Sequence, residues 1–540
     1  MHIRRMGVVL GVIWSVASVG SAWAASPEAD CWRVVERTFT SDRDYARPLD
    51  EVTVNATFTH ADGTKLVRPV FWDGQRTWRV RFAPTKPGVW QMQTTSSIDA
   101  DSGLHGVTAQ IDARAYSGDK AVFAHGFLKP SQNRRYFVHA DGTPFLWMSE
   151  DHAFMDGEAW DQSNRPGTTS QFKHMADTRW KQGFTVYQSV VWTRKGWEKP
   201  GVPKLEYYRD LDRKFAYLAD LGFVHSTAVG YHKDLGDGVP APAELQAMKL
   251  ATRYVQARYG AYPLAFYTCG EFNIPAGEKV DPKRVGKENL YVRDWWAQIA
   301  TTFHAENAYG HPQSINFWQP LGDWFKDEPF MTFWCLQAYS LRDHKYYRYF
   351  YDLAPTRPII DPFSGMDRGH PRSQEAQRGI AYVVMQSGGA GWGFLVEGIW
   401  NNCYTKDSGN SVDTWGGTPW FTTIEWQGAT YMTHAVQFYK SLKWWEMIPR
   451  NGETEWAKLD DDLRSPITAD GKGTVIVYFY GRGGGTLGKS AVTGGQVARW
   501  YDPRTGTYRD IGAVAPAADG TWTIPGRPDG KDWVLLVQKR

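Results

Sequence analysis

"PAPAELQAMKLATRYVQARYGAYPLAFYTCGEFNIP", residues 240–275, sets a helix, a strand and a carboxylate one behind another. Pro240 and Pro242 open it, Leu245, Met248, Ala251, Val255 and Tyr259 recur at steps of three and four, and Gly260 and Pro263 close it. That spacing predicts a helix with one apolar stripe against a core. The apolar run that follows, 264–269, reads as a short buried strand, and Glu271 stands just past it behind Gly270.

The same alternation extends outward in both directions. Short apolar runs at 144–149, 184–191, 223–231, 264–269, 313–318, 330–337, 358–360 and 391–396 are separated by longer amphipathic stretches. Eight strands alternating with helices predict an α/β fold, a (β/α)8 TIM barrel over 125–446, rather than a doubly wound sheet. In that architecture chemistry sits at the C-terminal ends of the strands, which is where Glu271 falls.

The flanks change texture. In "VTVNATFTHADG", Val52, Val54, Ala56 and Phe58 alternate with polar neighbours before an Asp-Gly turn; in "TWRVRFAP", Trp78, Val80 and Phe82 do the same. Residues 26–124 are therefore expected to form an N-terminal β-sandwich. Period two returns in "TVIVYFYG", "QVARWYDPRTGTYRDIG" and "GTWTIPGRPDGKDWVLLVQ", so 447–540 is expected to be a small C-terminal all-β domain.

At the start, Arg4 and Arg5 precede an apolar run over 6–19 and the small-residue site "SAWA", which reads as a signal peptide over 1–24 cleaved near Ala24. The run is shorter than the roughly 18 to 20 residues of a membrane span, so the expectation is a periplasmic or secreted protein. Formal charge is +3, about +1 without the two arginines, too little to draw nucleic acid or an acidic membrane surface. The chain carries 27 Trp, 27 Tyr and 26 Phe; in an exported protein part of that aromatic surplus fits clefts where rings stack on sugar faces. Cys31, Cys269, Cys335 and Cys403 show no metal spacing; one disulfide or free buried thiols are both open.

Several motifs are set aside on physical grounds. "GGGTLGKS", residues 483–490, fits the phosphate-loop pattern, but two glycines and strand alternation follow it where a helix must start, so it is expected to be a glycine-rich hairpin without nucleotide. His152 and His232 lie at strand ends without HxxxH or HExxH spacing, which suits polar substrate contacts better than metal ligands. No GxSxG elbow supports a serine triad. No cofactor and no metal is expected.

Carboxylates remain. Glycoside hydrolysis needs one carboxyl that holds a proton at the leaving oxygen and a second across the sugar ring. Glu271 is the first candidate. "RYVQARYGAYPLAFYTCGEFN" resembles the fourth strand-helix unit of the apiosidase-like glycoside hydrolases. "FWDGQRTWRVRFAPTKPGVWQ" resembles the immunoglobulin-like domain that often precedes such barrels, and "ARWYDPRTGTYRDIG…DWVLLVQ" resembles their C-terminal domain named for collagen binding.

The resemblance implies a retaining barrel hydrolase with its acid/base after the fourth strand, matched by Glu271, and its nucleophile after the seventh. There "RPIIDPFSGMDRGHPRS" departs from the family's glutamate motif and offers Asp361, directly behind the strand, and Asp367 one loop later; Glu397 in "GWGFLVEGIWN" is the third contender. Asp361 is the expected nucleophile. Asp151, His152, Trp192, Tyr231, His232, Asn273, Trp318, Asp367, Glu397 and Trp400 are expected to line the carbohydrate cleft. The rival readings are a non-catalytic carbohydrate-binding protein on a decayed barrel and a polysaccharide lyase.

Overall fold

The computed structural model describes residues 28–165, 167–231, 241–271, 290–316, 324–338, 344–402, 417–481 and 483–539. The expected signal peptide, His232, Asn273, Trp318 and Cys403 lie outside the described residues.

The centre is a seven-stranded parallel sheet. Its strands are β1 (Trp147–Asp151), β2 (Val186–Val190), β3 (Val224–Ala228), β4 (Leu264–Phe266), β5 (Trp334–Cys335), β6 (Ile359–Asp361) and β7 (Gly391–Phe394), in the order β4-β3-β2-β1-β7-β6-β5. Every residue of these strands is buried, as expected for parallel strands covered on both faces. Between the edge strands β4 and β5, Phe266 bridges Gln313 and Asn316 bridges Cys335, both parallel. The run expected as a strand over 313–318 is thus present as two isolated bridges rather than as a continuous ladder, joined to β4 where Phe266 N–H donates to Pro312 O and Ser314 N–H to Phe266 O, both at 2.8 Å.

Helices supply the outer layer. They are α1 (Gln171–Lys181), α2 (Leu205–Leu221), α3 (Pro242–Tyr259), α4 (Leu290–Ala305), α5 (His344–Asp352), α6 (Pro371–Gln386) and α7 (Gln427–Lys440). The helix read from proline caps and spacing is α3; Glu244 reaches back to the Ala241 N–H at 3.1 Å and the Gly260 N–H closes on Gln256 O at 2.9 Å. Among the described residues no helix is long and apolar enough to cross a membrane.

The N-terminal strands form a five-stranded and a three-stranded sheet with a shared core. Phe58 of one sheet stacks on Phe82 of the other, ring centroids 3.9 Å apart. The C-terminal strands form a six-stranded and a three-stranded sheet. Val475–Phe479 there is buried throughout: Val475, Val477 and Phe479 join the local core, while Ile476 and Tyr478 join the central one. Period-two alternation thus glues this sheet to the central body. Residues 485–487 of the glycine-rich motif form a strand, and no helix follows Lys489.

Candidate active site

Beyond β4 the chain stays tied to its neighbours until it reaches Glu271. Tyr267 donates its hydroxyl to Ser189 O at 2.7 Å, Cys269 O accepts Asn316 N–H at 3.1 Å, and Gly270 bridges Tyr231. A Cβ at Gly270 would collide with the Tyr231 ring, so the close approach requires glycine there. Glu271 then adopts a left-handed backbone, φ +48°, which costs a non-glycine residue about 1–3 kcal/mol and persists only where surroundings enforce it. Two amides do so: Asn316 Oδ1 accepts the Glu271 N–H at 2.9 Å, and Gln337 Nε2 donates to Glu271 Oε1 at 2.6 Å. The carboxylate is held at the sheet's C-terminal end, with the residue 9% exposed.

Asp151 is the last residue of β1, three strands away from β4 in the sheet. Glu150 pairs with Arg179 of α1, so its side chain faces the helix layer, and the next residue of the strand faces inward. Its register partner is Gln188 of β2. Burial, then the charges of Glu150 and Glu271, push the Asp151 carboxyl well above the usual carboxylate range. The Gln188 amide lies close enough to Asp151 to favour its ionised form, while Asp151 Oδ1 and Gln337 Oε1 have no hydrogen-bond partner among the described residues. Buried polar atoms of this kind are what an incoming sugar's hydroxyls satisfy.

His152 faces the helix layer instead of a cleft. It is fully buried, with Nδ1 2.7 Å from the Tyr187 hydroxyl and its ring against Phe172 of α1. Burial and the nearby Lys214 charge lower its imidazole to about 3, so it stays neutral.

The aspartates of the seventh apolar run also turn outward. Asp361 Oδ2 accepts the hydroxyl of Tyr347, on α5, at 2.8 Å and that of Ser364. Its register partner Trp392 donates to Met432 of α7 at 3.3 Å, which places the whole row against helices. The side of the sheet, rather than the sequence position, is what separates Asp361 from Glu271. Asp367 Oδ1 accepts Gly369 N–H at 2.8 Å, and its Oδ2 lies against Gly428 of α7. Burial raises both carboxyls.

Glu397, the third contender, stands three residues past β7. Thr418 donates to its Oε1 twice, from the backbone at 3.1 Å and the hydroxyl at 2.9 Å, and the residue is 8% exposed. Nearby a row of rings runs toward Gly270. Trp400 lies 5.9 Å from Phe154, Phe154 stacks on Trp192 at 5.0 Å, and Trp192 lies 5.8 Å from Tyr231. Trp192, Tyr231 and Trp400, all named from sequence, are therefore brought into one wall.

Phe154, Gln188, Asn316 and Gln337 were not legible as site residues. Neutral amides and a phenylalanine carry no chemical signature; only strand parity, with Asn316 paired to Cys335 and Gln337 two residues beyond it, would have pointed inward. Among the described residues no cluster of three His, Cys, Asp or Glu is arranged to hold a metal.

Three family models match the chain: "Apiosidase-like, catalytic domain" over residues 131–446, a domain of unknown function (DUF5060) over residues 28–97, and "Putative collagen-binding domain of a collagenase" over residues 457–538. No curated protein matches. Among solved structures, a "putative glycoside hydrolase" from Bacteroides vulgatus is 16% identical, with 95% of this chain and 100% of that one covered at TM-score 0.69. A glycoside hydrolase family 5 structure from the same organism is 17% identical, covering 77% of this chain and 93% of that one at TM-score 0.60. A further structure described as a glycoside hydrolase is 16% identical, covering 78% and 99% at TM-score 0.60. At these identities the structures testify to the fold.

Proposed function

The chain belongs to the apiosidase-like family of glycoside hydrolases, and from that premise we propose that it cleaves a plant or bacterial polysaccharide by a retaining two-carboxylate mechanism. The observation that carries this reading is Glu271, fixed by Asn316 and Gln337 in a strained backbone at the end of a parallel strand. Strain of that kind collects at functional sites.

The scaffold is read as a closed eight-stranded barrel, with residues 312–316 as its remaining strand. From Trp147 the register runs to Gly391, Ile360, Cys335 and Asn316. Carried on with the offsets of the Phe266–Gln313 and Tyr231–Gly270 bridges and of β2 and β3, it returns to the first strand at Met155, eight residues past its start. A shear of about eight is the value for an eight-stranded barrel of this type. The division into an N-terminal immunoglobulin-like sandwich, a barrel and a C-terminal β-domain, and export by residues 1–24, belong to the same reading.

In the first half-reaction Glu271 gives its proton to the glycosidic oxygen while a carboxylate oxygen of Glu397 attacks the anomeric carbon. The glycosidic bond breaks and a glycosyl ester to Glu397 forms. In the second half, Glu271 takes a proton from water, whose oxygen attacks the same carbon and releases Glu397. Glu397 takes the nucleophile role here, in place of Asp361, because it stands past the C-terminal end of β7 while the Asp361 carboxylate is enclosed by Tyr347 and Ser364. The Trp400, Phe154, Trp192 and Tyr231 wall would stack on sugar faces, with His232, Asn273 and Trp318 as further cleft residues.

The test is Glu271→Gln. Turnover of unactivated glycosides should fall by at least about a hundredfold, while aryl glycosides with acidic leaving groups keep a measurable rate that azide accelerates. Undiminished turnover of unactivated glycosides would remove Glu271 from the reaction.

A further inference from the structure

The aromatic wall is assembled from two loops, one past β1 that carries Phe154 and one past β7 that carries Trp400. Phe154 N–H donates to Trp400 O at 3.2 Å, across the same pair whose rings lie 5.9 Å apart. Just beyond Trp400 the chain turns at Asn402 into a left-handed backbone, φ +55°, with the Asn402 N–H on Ile399 O at 3.0 Å. The buried Asn402 side chain reaches both ways from there. Its Nδ2 donates to Glu158 Oε2 in the first loop, and its Oδ1 accepts from Nε2 of Gln171, the first residue of α1.

Glu158 is fixed in turn from α2. The buried Lys214 ammonium donates to Met155 O and Glu158 O, both at 2.6 Å, and pairs with Asp210 at 2.9 Å. The two loops are also closely fitted: a Cβ at Gly157 would stand 2.6 Å from Asn402 Nδ2. Burial pushes the Glu158 carboxyl up to about 8, so at neutral pH it meets Asn402 as an uncharged acid that glutamine mimics.

We propose that Asn402 is a positioning residue that holds Trp400 against Phe154, through Glu158 and Gln171, and so sets how tightly the wall grips a sugar chain. This rests on the reading of the wall as the surface on which substrate stacks. Asn402 acts through Trp400, without touching the substrate. Glu397, earlier on the same turn, keeps its own two bonds from Thr418, so the effect falls on binding and not on the chemical step.

The experiment is steady-state kinetics on a panel of defined plant and bacterial oligosaccharides, with wild type, Asn402→Gly, Trp400→Ala and the double variant, each checked for a folded melting transition. Glycine accepts the left-handed backbone, so Asn402→Gly removes the side-chain bonds alone. Its KM should rise at least about fivefold while kcat stays within about threefold, and in the Trp400→Ala background it should add nothing further. Glu158→Ala should follow Asn402→Gly, and Glu158→Gln, which keeps the acceptor, should restore the wild-type KM. Should Asn402→Gly not fold, the two Glu158 variants read the same contact from the other side. An unchanged KM in Asn402→Gly beside a raised one in Trp400→Ala would overturn the positioning role alone, as would effects that simply add in the double variant. An unchanged KM in Trp400→Ala, or a wild type that cleaves none of the panel, would defeat the reading of the wall and the proposal with it.

Discussion

Asp361 shows how much one side chain's direction decides. It is the last residue of β6, at the strand end where a catalytic residue is expected, yet its carboxylate binds the Tyr347 and Ser364 hydroxyls in the layer between sheet and helices. We therefore expect Asp361→Asn, which keeps an acceptor oxygen, to fold and to retain turnover within about tenfold, whereas Asp361→Ala strands two buried hydroxyls at about 1–3 kcal/mol each. Urea unfolding reads the second effect and steady-state rates the first. A folded Asp361→Asn protein without turnover would return Asp361 to the reaction.

At the scale of elements, legibility followed the strength of periodic signals. α3 was predictable because its prolines, its three-and-four spacing and Gly260 agree, and flanking strands such as Val54–His60 because buried apolar residues alternate with polar ones. β6 was found as a strand but not by side: "IID" is buried throughout, so no alternation marks which residue faces inward. The partners reveal the direction: Tyr347 on α5, Ser364, and the Met432 contact of the register partner Trp392. His152 was misplaced for the same reason, one residue past the all-buried β1. Glu271 could be named as a candidate because a charge stands behind an apolar run and a glycine; Gln337 and Asn316, which hold it, could not, because buried amides look like any polar residue until the strands are paired.

For the whole molecule, a charged seam joins the N-terminal sheets to the central body. Asp212 of α2 receives Arg81 at 3.0 and 2.8 Å and Arg258 of α3 at 2.8 and 2.7 Å. Burial alone would raise this carboxyl, but the two guanidiniums hold it at about 2. A depressed folded value means the seam's stability is present above the unfolded value of about 4 and fades as pH falls toward about 2. Asp212→Asn should therefore lower the melting temperature at pH 7, with the gap to wild type narrowing in acid; in Asp212→Ala, Arg81 keeps Glu36 and Arg258 keeps Asp73, so the loss should stay at about 1–3 kcal/mol. A gap independent of pH would remove the seam from the stability account. The central claim, a retaining glycosidase site built on Glu271 and Glu397, is tested most directly by incubation with a panel of 2-deoxy-2-fluoro glycosyl fluorides and peptide mass spectrometry. The account predicts a covalent glycosyl label on Glu397, in a protein whose products keep their anomeric configuration. A label on Asp361, or inverted products with no label anywhere, would contradict it.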